Sequence, residues 1–413
     1  MNKTFLAIII TALVLGVVGC RPDQQMAPDL EEEKAIHADY VGSEACAGCH
    51  STIYNKFTQS GHPYKLTKVV HEKKPAYFPF TSLPDIPNSS GLSDGDNTLG
   101  PPASYADVSY VIGGFKWKAR FVDTMGYIIT GSDTQYNYET DEWVAYDAGV
   151  VDKPYNCGKC HTTGWIEYDD SGMRQDNLPG MDGVFFKGGI HCEECHGEGA
   201  AHVNTNGNPA YITVNESSEL CGRCHTRDSQ NRIAASGGYI KHHEQYDELL
   251  GLNPDNVAAG GMGRHLASGI GCNTCHDPHA TTVHQDTSGT MGIKIKCETC
   301  HADKVIAAGP HTQASLDTKG LYVTKGRKIS NCLLCHMPKV AKSAVGHDAV
   351  GTGPVIGDIK SHIFKIDLSK MEQFTSDGSF AYPWLTGKYA CKQCHNGVYF
   401  FNKSFPSTYK IHN

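Results

Sequence analysis

The sequence predicts an irregular fold of short α-helices and coil with one small antiparallel β subdomain, rather than a large sheet or barrel. Only 39% of the 413 residues are hydrophobic and 19% are charged, whereas 44 are glycine and 19 are proline. This composition lacks the long aliphatic strands that a buried parallel sheet requires. The net charge of −8 argues against a nucleic-acid-binding protein. The unusual numbers are 17 cysteines and 22 histidines.

Sixteen of the 17 cysteines form Cys-x-x-Cys pairs, and a histidine directly follows every pair. The eight motifs, numbered one to eight in chain order, are Cys46-Cys49-His50, Cys157-Cys160-His161, Cys192-Cys195-His196, Cys221-Cys224-His225, Cys272-Cys275-His276, Cys297-Cys300-His301, Cys332-Cys335-His336 and Cys391-Cys394-His395. A disulfide framework explains the cysteines but not the histidines. Zinc sites explain the pairs but do not require a histidine directly after each one.

Covalent haem attachment explains all three residues of the motif. Two thioethers hold the porphyrin, and the following imidazole becomes the proximal iron ligand. Chance would place histidine after all eight pairs with odds on the order of 10⁻¹⁰. We therefore predict eight covalently bound haem c groups, wrapped by the helices and coil and replacing much of the aliphatic core.

The sixth position of each iron decides between electron transfer and chemistry at the metal. A second histidine closes the iron, whereas an open position admits a substrate. Fourteen histidines lie outside the eight motifs, which is enough to close every site. His202 ends the stretch Cys-His-Gly-Glu-Gly-Ala-Ala-His after motif three, and His279 ends Cys-His-Asp-Pro-His after motif five.

With these contexts, and Tyr40 to Glu44 before motif one, the chain resembles the bacterial multihaem cytochrome c superfamily that includes the nitrifier tetrahaem cytochrome and hydroxylamine oxidoreductase. The resemblance implies distal ligands at His62, His202, His265, His279 and His362. It also implies His311, His347 and one of His242 and His243. His191 and His284 are alternates, and His37, His71 and His412 are left unassigned.

The N-terminal segment has the pattern of an exported lipoprotein. An apolar stretch from Phe5 to Gly19 follows Lys3 and is too short to span a bilayer comfortably. It ends in small and aliphatic residues before Cys20, as in a lipobox, where this cysteine becomes lipidated. Arg21 follows, which favours the outer membrane. An ordinary signal peptide with a chance cysteine is the alternative.

The motif spacing is uneven, and we divide the chain into five segments. These are a signal peptide at 1–19, a tether at 20–39, motif one with the β subdomain at 40–150, a dense haem block at 151–340, and a C-terminal segment with motif eight at 341–413. Alternation at Val108, Tyr110 and Ile112, and again from Phe115 to Phe121, predicts an antiparallel sheet near 104–146. It either covers haem one or two or forms a docking surface.

The favoured function is an octahaem cytochrome that conducts electrons at the cell envelope to periplasmic or extracellular acceptors. It would exchange electrons with other redox proteins, held at the membrane by Cys20. One alternative is an octahaem oxidoreductase reacting nitrite, hydroxylamine or sulfite at one open haem, although no catalytic residue is indicated. Another is self-assembly into a filament, with His37 or His412 donated across the interface.

Overall fold

The computed structural model describes residues 37–77, 82–86, 101–168, 172–227, 231–257, 263–304, 331–348 and 355–391. Within these ranges the α-helices have at most seven residues. They are α1 Ser43–Ala47, α2 Ser51–Phe57, α3 Gly158–His161, α4 Cys192–His196, α5 Ala200–Asn204, α6 Ser218–Gly222, α7 Gln245–Leu250, α8 Arg264–Ala267, α9 Cys272–Cys275, α10 Cys297–Cys300, α11 Asn331–His336 and α12 Gly387–Cys391. All eight motifs overlap or adjoin one of these helices.

A seven-stranded antiparallel sheet lies between motifs one and two. Its strands are β1 Leu66–Lys68, β2 Val108–Gly113, β3 Lys118–Asp123, β4 Tyr127–Ile128, β5 Gly131–Asn137, β6 Glu142–Tyr146 and β7 Lys153–Pro154. Strand β3 pairs with β2, β4 and β5, and β1 and β7 extend the sheet on either side. The antiparallel sheet expected near 104–146 is therefore present, and it is larger than the sequence indicated.

Two details of this sheet differ from the sequence interpretation. The strand expected from Phe115 begins only at Lys118. The residues before it form a tight turn, because Gly113 and Gly114 take φ angles of +71° and +91°. A register shift in β2 follows Val108, so Val108 packs on the opposite face from Tyr110. A bulge of this kind adds one residue and reverses the alternation beyond it.

Both faces of the sheet are buried. Tyr110, Ile112 and Val122 pack on one face, while Val111 and Phe121 pack on the other. Full burial of side chains of this size stabilises a fold by about 1.5–3 kcal/mol each. The β subdomain therefore has a hydrophobic core of its own, which provides a rigid wall for the neighbouring motifs.

The other strands are short. Two antiparallel pairs join β8 Thr162–Thr163 to β11 Lys187–Gly188 and β9 Ile166–Glu167 to β10 Gly183–Val184. A four-stranded sheet orders β14 Ala341–Lys342, β13 Tyr239–Lys241, β12 Ile233–Ser236 and β17 Phe380–Ala381. The last pair joins β15 His347–Asp348 to β16 Val355–Ile356. The four-stranded sheet carries a second core around Ile233, Ile240 and Leu385, which the sequence analysis did not anticipate.

Several expectations fall on other parts of the chain. The leader at 1–19, Cys20 and most of the tether lie outside the described residues, as do His311, Cys394, His395 and His412. In the part of the chain that the structure describes, no helix combines the length and the apolar character needed to cross a membrane.

Candidate haem-binding sites

Each described attachment motif forms about one helical turn. The backbone N–H of the motif histidine donates to the carbonyl of the first cysteine, at 2.9 Å for His50, His225, His276 and His301. Residues three apart on a helix are neighbours on its surface. The two thiols therefore project to one side, and the histidine follows directly. Within the described ranges, none of the fifteen motif cysteines forms a disulfide.

Five motif histidines face a second histidine ring across a nearly constant gap. The pairs and their centroid distances are His50–His202 at 6.4 Å, His196–His279 at 6.1 Å, His62–His225 at 6.4 Å, His276–His362 at 6.1 Å and His265–His301 at 6.0 Å. Metal–imidazole bonds of about 2 Å, with the ring radii added, separate two opposed imidazoles by about 6 Å. The gaps therefore fit one iron each.

The five pairs differ in the angle between their ring planes. The planes are nearly parallel at motifs three and one, with angles of 4° and 20°. They are nearly perpendicular at motifs four and six, with angles of 82° and 89°. Motif five is intermediate at 45°. If these histidines ligate haem iron, the different ring angles should give the sites different EPR signals.

Neighbouring motifs meet through their cysteines. The thiols that interact with one another are Cys46 with Cys192, Cys160 with Cys224, and Cys221 with Cys272. Helix α1 contacts α4, α6 contacts α9, and Cys224 Sγ lies 3.6 Å from the Lys159 carbonyl. Pairs within electrostatic reach are Cys195 with Cys221, Cys275 with Cys300, and Cys297 with Cys332. Helix α11 packs on α12, which joins motif seven to motif eight. The motifs therefore run one, three, four, five, six, seven, eight, and motif two branches from motif four.

One cavity of about 3930 Å³ follows this row from motif one to motif seven, lined mainly by apolar surface. The opposed histidines project into it from both sides, and cysteines line its wall. Burial lowers the pKa of His62, His161 and His362 to about 3. These imidazoles are therefore neutral, as a metal ligand must be. Shape, donor type and protonation all fit covalently held haem.

Comparisons with known proteins agree with this geometry. Residues 129–197, which contain motifs two and three, match the family model of cytochrome c554 and c-prime. The dissimilatory sulfite reductase MccA of Wolinella succinogenes is 24% identical over 222 residues, which cover 46% of this chain and 28% of that protein. This chain is a multihaem c-type cytochrome. Its match spans less than a third of the length of that relative.

Solved structures resemble this cytochrome in fold. The outer cell wall cytochrome OcwA has a TM-score of 0.50 and 19% identity, with 87% of this chain and 84% of that one covered. The octahaem sulfite reductase MccA of Wolinella succinogenes has a TM-score of 0.52 and 17% identity, with 86% and 65% covered. At these identities the likeness concerns the fold.

Five of the cytochrome's motif and paired histidines bond through Nδ1 to neutral acceptors. Backbone carbonyls accept from His161, His196, His202 and His336, through Lys65, Thr213, Asn208 and Phe364 respectively. The side-chain oxygen of Gln245 accepts from His225 at 3.2 Å. A donor role at Nδ1 fixes the tautomer and leaves the Nε2 lone pair for iron.

Two paired histidines of the cytochrome have carboxylates instead. His279 Nδ1 lies 3.2 Å from Asp277 Oδ1, and His362 Nδ1 lies 3.7 Å from Glu248 Oε2. Burial raises the pKa of Glu248 to about 7, although the His362 amide donates to it. A carboxylate behind a ligating histidine increases the basicity of that ligand.

Basic side chains surround His161 of motif two. Lys65, Lys118, Arg120 and Arg227 all line the cavity there. Burial lowers the pKa of Lys65 and of Arg120, and lowers the pKa of Lys118 to about 7. Among the described ion pairs none involves these four residues. Lys118 Nζ donates to the Ser343 carbonyl and Arg120 Nε donates to Gln135 Oε1, while Arg227 is exposed. The uncompensated positive charge of these side chains favours an anion in this part of the cavity.

The basic cluster escaped the sequence analysis. Lys118 and Arg120 alternate on β3 and therefore share one face, but an exposed strand has the same pattern. Lys65 lies three residues after His62, in a stretch whose charge pattern does not indicate a basic site. Two further residues were missed, Asp277 and Glu248. Asp277 lies in the Cys-His-Asp-Pro-His stretch, two residues before His279. Glu248 becomes recognisable only through the fold, because it is distant in sequence from His362.

The remaining candidate distal histidines do not form simple opposed pairs with a motif histidine. His243 lies 5.5 Å from His225 and 4.9 Å from His242, measured between ring centroids, and both interact with His161. Burial lowers the pKa of His242 to about 2. His347 is half exposed and lies 3.4 Å from the Glu139 carboxylate.

The histidines outside the main set are engaged elsewhere. His37 is buried, and its Nε2 lies 2.7 Å from the Gly164 carbonyl. His191 bonds to Ser43 Oγ through Nδ1 and to the Gly188 carbonyl through Nε2. His284 packs edge-on against Phe115 and lines the cavity. His71 is exposed. Donation of His37 to another subunit would require its bond to Gly164 to break.

Proposed function

We propose that this chain is an octahaem cytochrome that conducts electrons at the cell envelope. The observation that carries the proposal is the continuous row of attachment motifs, whose cysteines meet at successive sites. Haem supplies reversible one-electron chemistry, and the protein fixes spacing, ligation and exposure. Contact between neighbouring motifs would bring consecutive haems close together, as electron hopping requires.

The opposed histidines supply the axial ligands of this proposal. His202, His279, His62, His362 and His265 would close sites one, three, four, five and six respectively. One of His242 and His243 remains the candidate for site two. His311 and His347 remain candidates for sites seven and eight. Closed irons favour electron transfer over ligand chemistry.

The cellular location belongs to the same proposal. The apolar leader, Cys20 and the polar tether are typical of an exported lipoprotein, and haem c is attached outside the cytoplasm. The fold resembles that of an outer cell wall cytochrome. We place the protein on the outer membrane, where other redox proteins would supply and accept its electrons.

Intact mass measurement and the pyridine haemochrome assay on the exported holoprotein test the haem count. The expected result is eight haems per chain and a diacylglycerol-modified Cys20 at the mature N-terminus. A Cys20→Ala variant should keep its haems but leave the membrane fraction. A count below eight, or a Cys20→Ala protein that stays membrane-bound, would overturn the corresponding part of the proposal.

Reductive chemistry on a small oxyanion at site two is a second candidate, because the basic cluster surrounds His161 there. Lys65 and Arg120 would bind the anion, and Lys118, with a pKa of about 7, could pass a proton to it. The sequence relative MccA is a sulfite reductase. A stoichiometric high-spin EPR signal that nitrite or sulfite abolishes would support this function, whereas an entirely low-spin protein would exclude it.

A further inference from the structure

The charges behind the axial histidines are unequal along the row. At site three, Asp277 Oδ1 lies 3.2 Å from Nδ1 of His279, on the distal side. The opposite ligand, His196, donates to a neutral carbonyl at 2.7 Å. A carboxylate behind one ligand makes it more basic and stabilises the ferric state, which lowers the reduction potential.

Site four has the opposite environment. Its two histidines, His62 and His225, both lie within electrostatic reach of the Lys65 ammonium. His225 bonds to the neutral Gln245 amide oxygen, and no described ion pair neutralises Lys65. A nearby cation disfavours the additional positive charge of ferric iron and therefore raises the reduction potential.

Site two shares this cation. Lys65 lies close to His161, and its carbonyl accepts from His161 Nδ1 at 3.1 Å. Lys118 and Arg227 act on the same histidine. Sites two and four are in contact, because Cys224 Sγ lies 3.6 Å from the Lys159 carbonyl in motif two. The two sites therefore form one positively charged region at the branch of the row.

We infer that Asp277 and Lys65 set a potential step between site three and site four, so that electrons from the donor collect at sites two and four. The inference rests on the axial pairs of the proposed function. Each transfer reduces one ferric iron to ferrous with one electron from the redox partner, and no bond forms or breaks. An electron entering at site one would pass site three and rest at the branch.

The ring angles provide a site-specific readout. Imidazole planes that are parallel give a rhombic low-spin EPR signal, whereas perpendicular planes give a signal with a large maximal g value. Site three, at 4°, belongs to the first class, and site four, at 82°, belongs to the second. In a redox titration of the holoprotein followed by EPR, a large-g signal should disappear at a higher potential than the rhombic signals. The reverse order would overturn the inference.

Asp277→Asn tests the low-potential side. It should raise the potential of one rhombic signal, with about a tenfold change in its ferric-to-ferrous ratio at a fixed potential, or about 59 mV for one electron. The large-g signals should not move. Asp182→Asn is the matched control, because Asp182 has similar exposure, 34% against 25%, and also pairs with a cation, Arg174, but has no described bond to a motif or paired histidine. Equal shifts in the two variants would contradict a role for Asp277.

Lys56→Met supplies a variant of opposite sign. Lys56 Nζ lies 3.3 Å from Asp277 Oδ2 and partly neutralises it. Its removal should strengthen the effect of Asp277 and lower the potential of the same rhombic signal. A rise would overturn the inference, and this variant stays informative if Asp277→Asn fails to fold.

Lys65→Met tests the high-potential side. It should lower the potential of a large-g signal, whereas Lys68→Met, which removes an exposed lysine paired with Asp176, should not. An unchanged large-g signal in Lys65→Met would overturn this half of the inference. The haem count separates failures: if eight low-spin haems persist with the wrong potential order, only this inference fails, and if the count fails, the proposed function fails.

Discussion

If site two binds oxyanions, as in the second candidate function, nitrite binding there should weaken as the pH rises through neutrality, because Lys118 loses its proton. Burial lowers the pKa of Lys118 from 10.5 to about 7. The protonated fraction therefore falls from about nine-tenths at pH 6 to about one-tenth at pH 8. If the ammonium is needed to hold the anion, the apparent affinity falls about tenfold over this range. Nitrite keeps its own charge throughout, so the change reports the protein.

The assay is a titration of the oxidised holoprotein with nitrite, followed through the Soret band at pH 6, 7 and 8. Lys118→Met should bind nitrite weakly at every pH and show no pH dependence. Lys73→Met, which removes an exposed lysine of the same subdomain, should behave like the parent protein. Affinity that stays constant or rises with pH in the parent, or a pH dependence that survives in Lys118→Met, would refute the reasoning.

Three further predictions concern the scaffold and the row. Gly114→Ala should cost about 1–3 kcal/mol of stability, since an added Cβ would lie 2.5 Å from Leu83 at a φ of +91°. Gly149→Ala, with the same φ and no atom within 4 Å, should cost less, and equal denaturation midpoints would contradict this. Glu193→Ala removes the acceptor of three backbone N–H groups and should cost about 2–5 kcal/mol, seen as faster amide exchange at Val41, Gly42 and Gly199. Replacing Cys157 and Cys160 with serine should remove one haem and leave conductance through protein films intact, because site two lies off the main row; a loss of conductance would contradict the branch.

The features that the sequence predicts well are local. The attachment motifs depend on five consecutive residues, and the sheet near 104–146 depends on short-range alternation. The structure differs from the sequence prediction where an unusual backbone conformation interrupts a strand. Two successive glycines with positive φ replace the expected strand at Phe115 by a turn, and the register shift after Val108 moves that residue to the other face.

The arrangement of the sites is not readable from the sequence, because it is made by distant contacts. His62 faces His225 and His276 faces His362 across long separations in the chain. The sequence identified these residues as candidates but not their partners. The basic cluster at His161 likewise joins Lys65, strand β3 and Arg227, and no single segment carries the signal.

The central claim is that the eight motifs form one row of haems with a branch at motif four. An anomalous difference map at the iron edge, from crystals of the holoprotein, tests it most directly. We expect eight iron peaks, five of them midway between the histidine pairs of sites one, three, four, five and six. The site-two iron should neighbour only the site-four iron. The account would be contradicted by fewer than eight peaks or by irons that lie away from those histidine pairs. It would also be contradicted by a site-two iron that lies between two other irons of the main row.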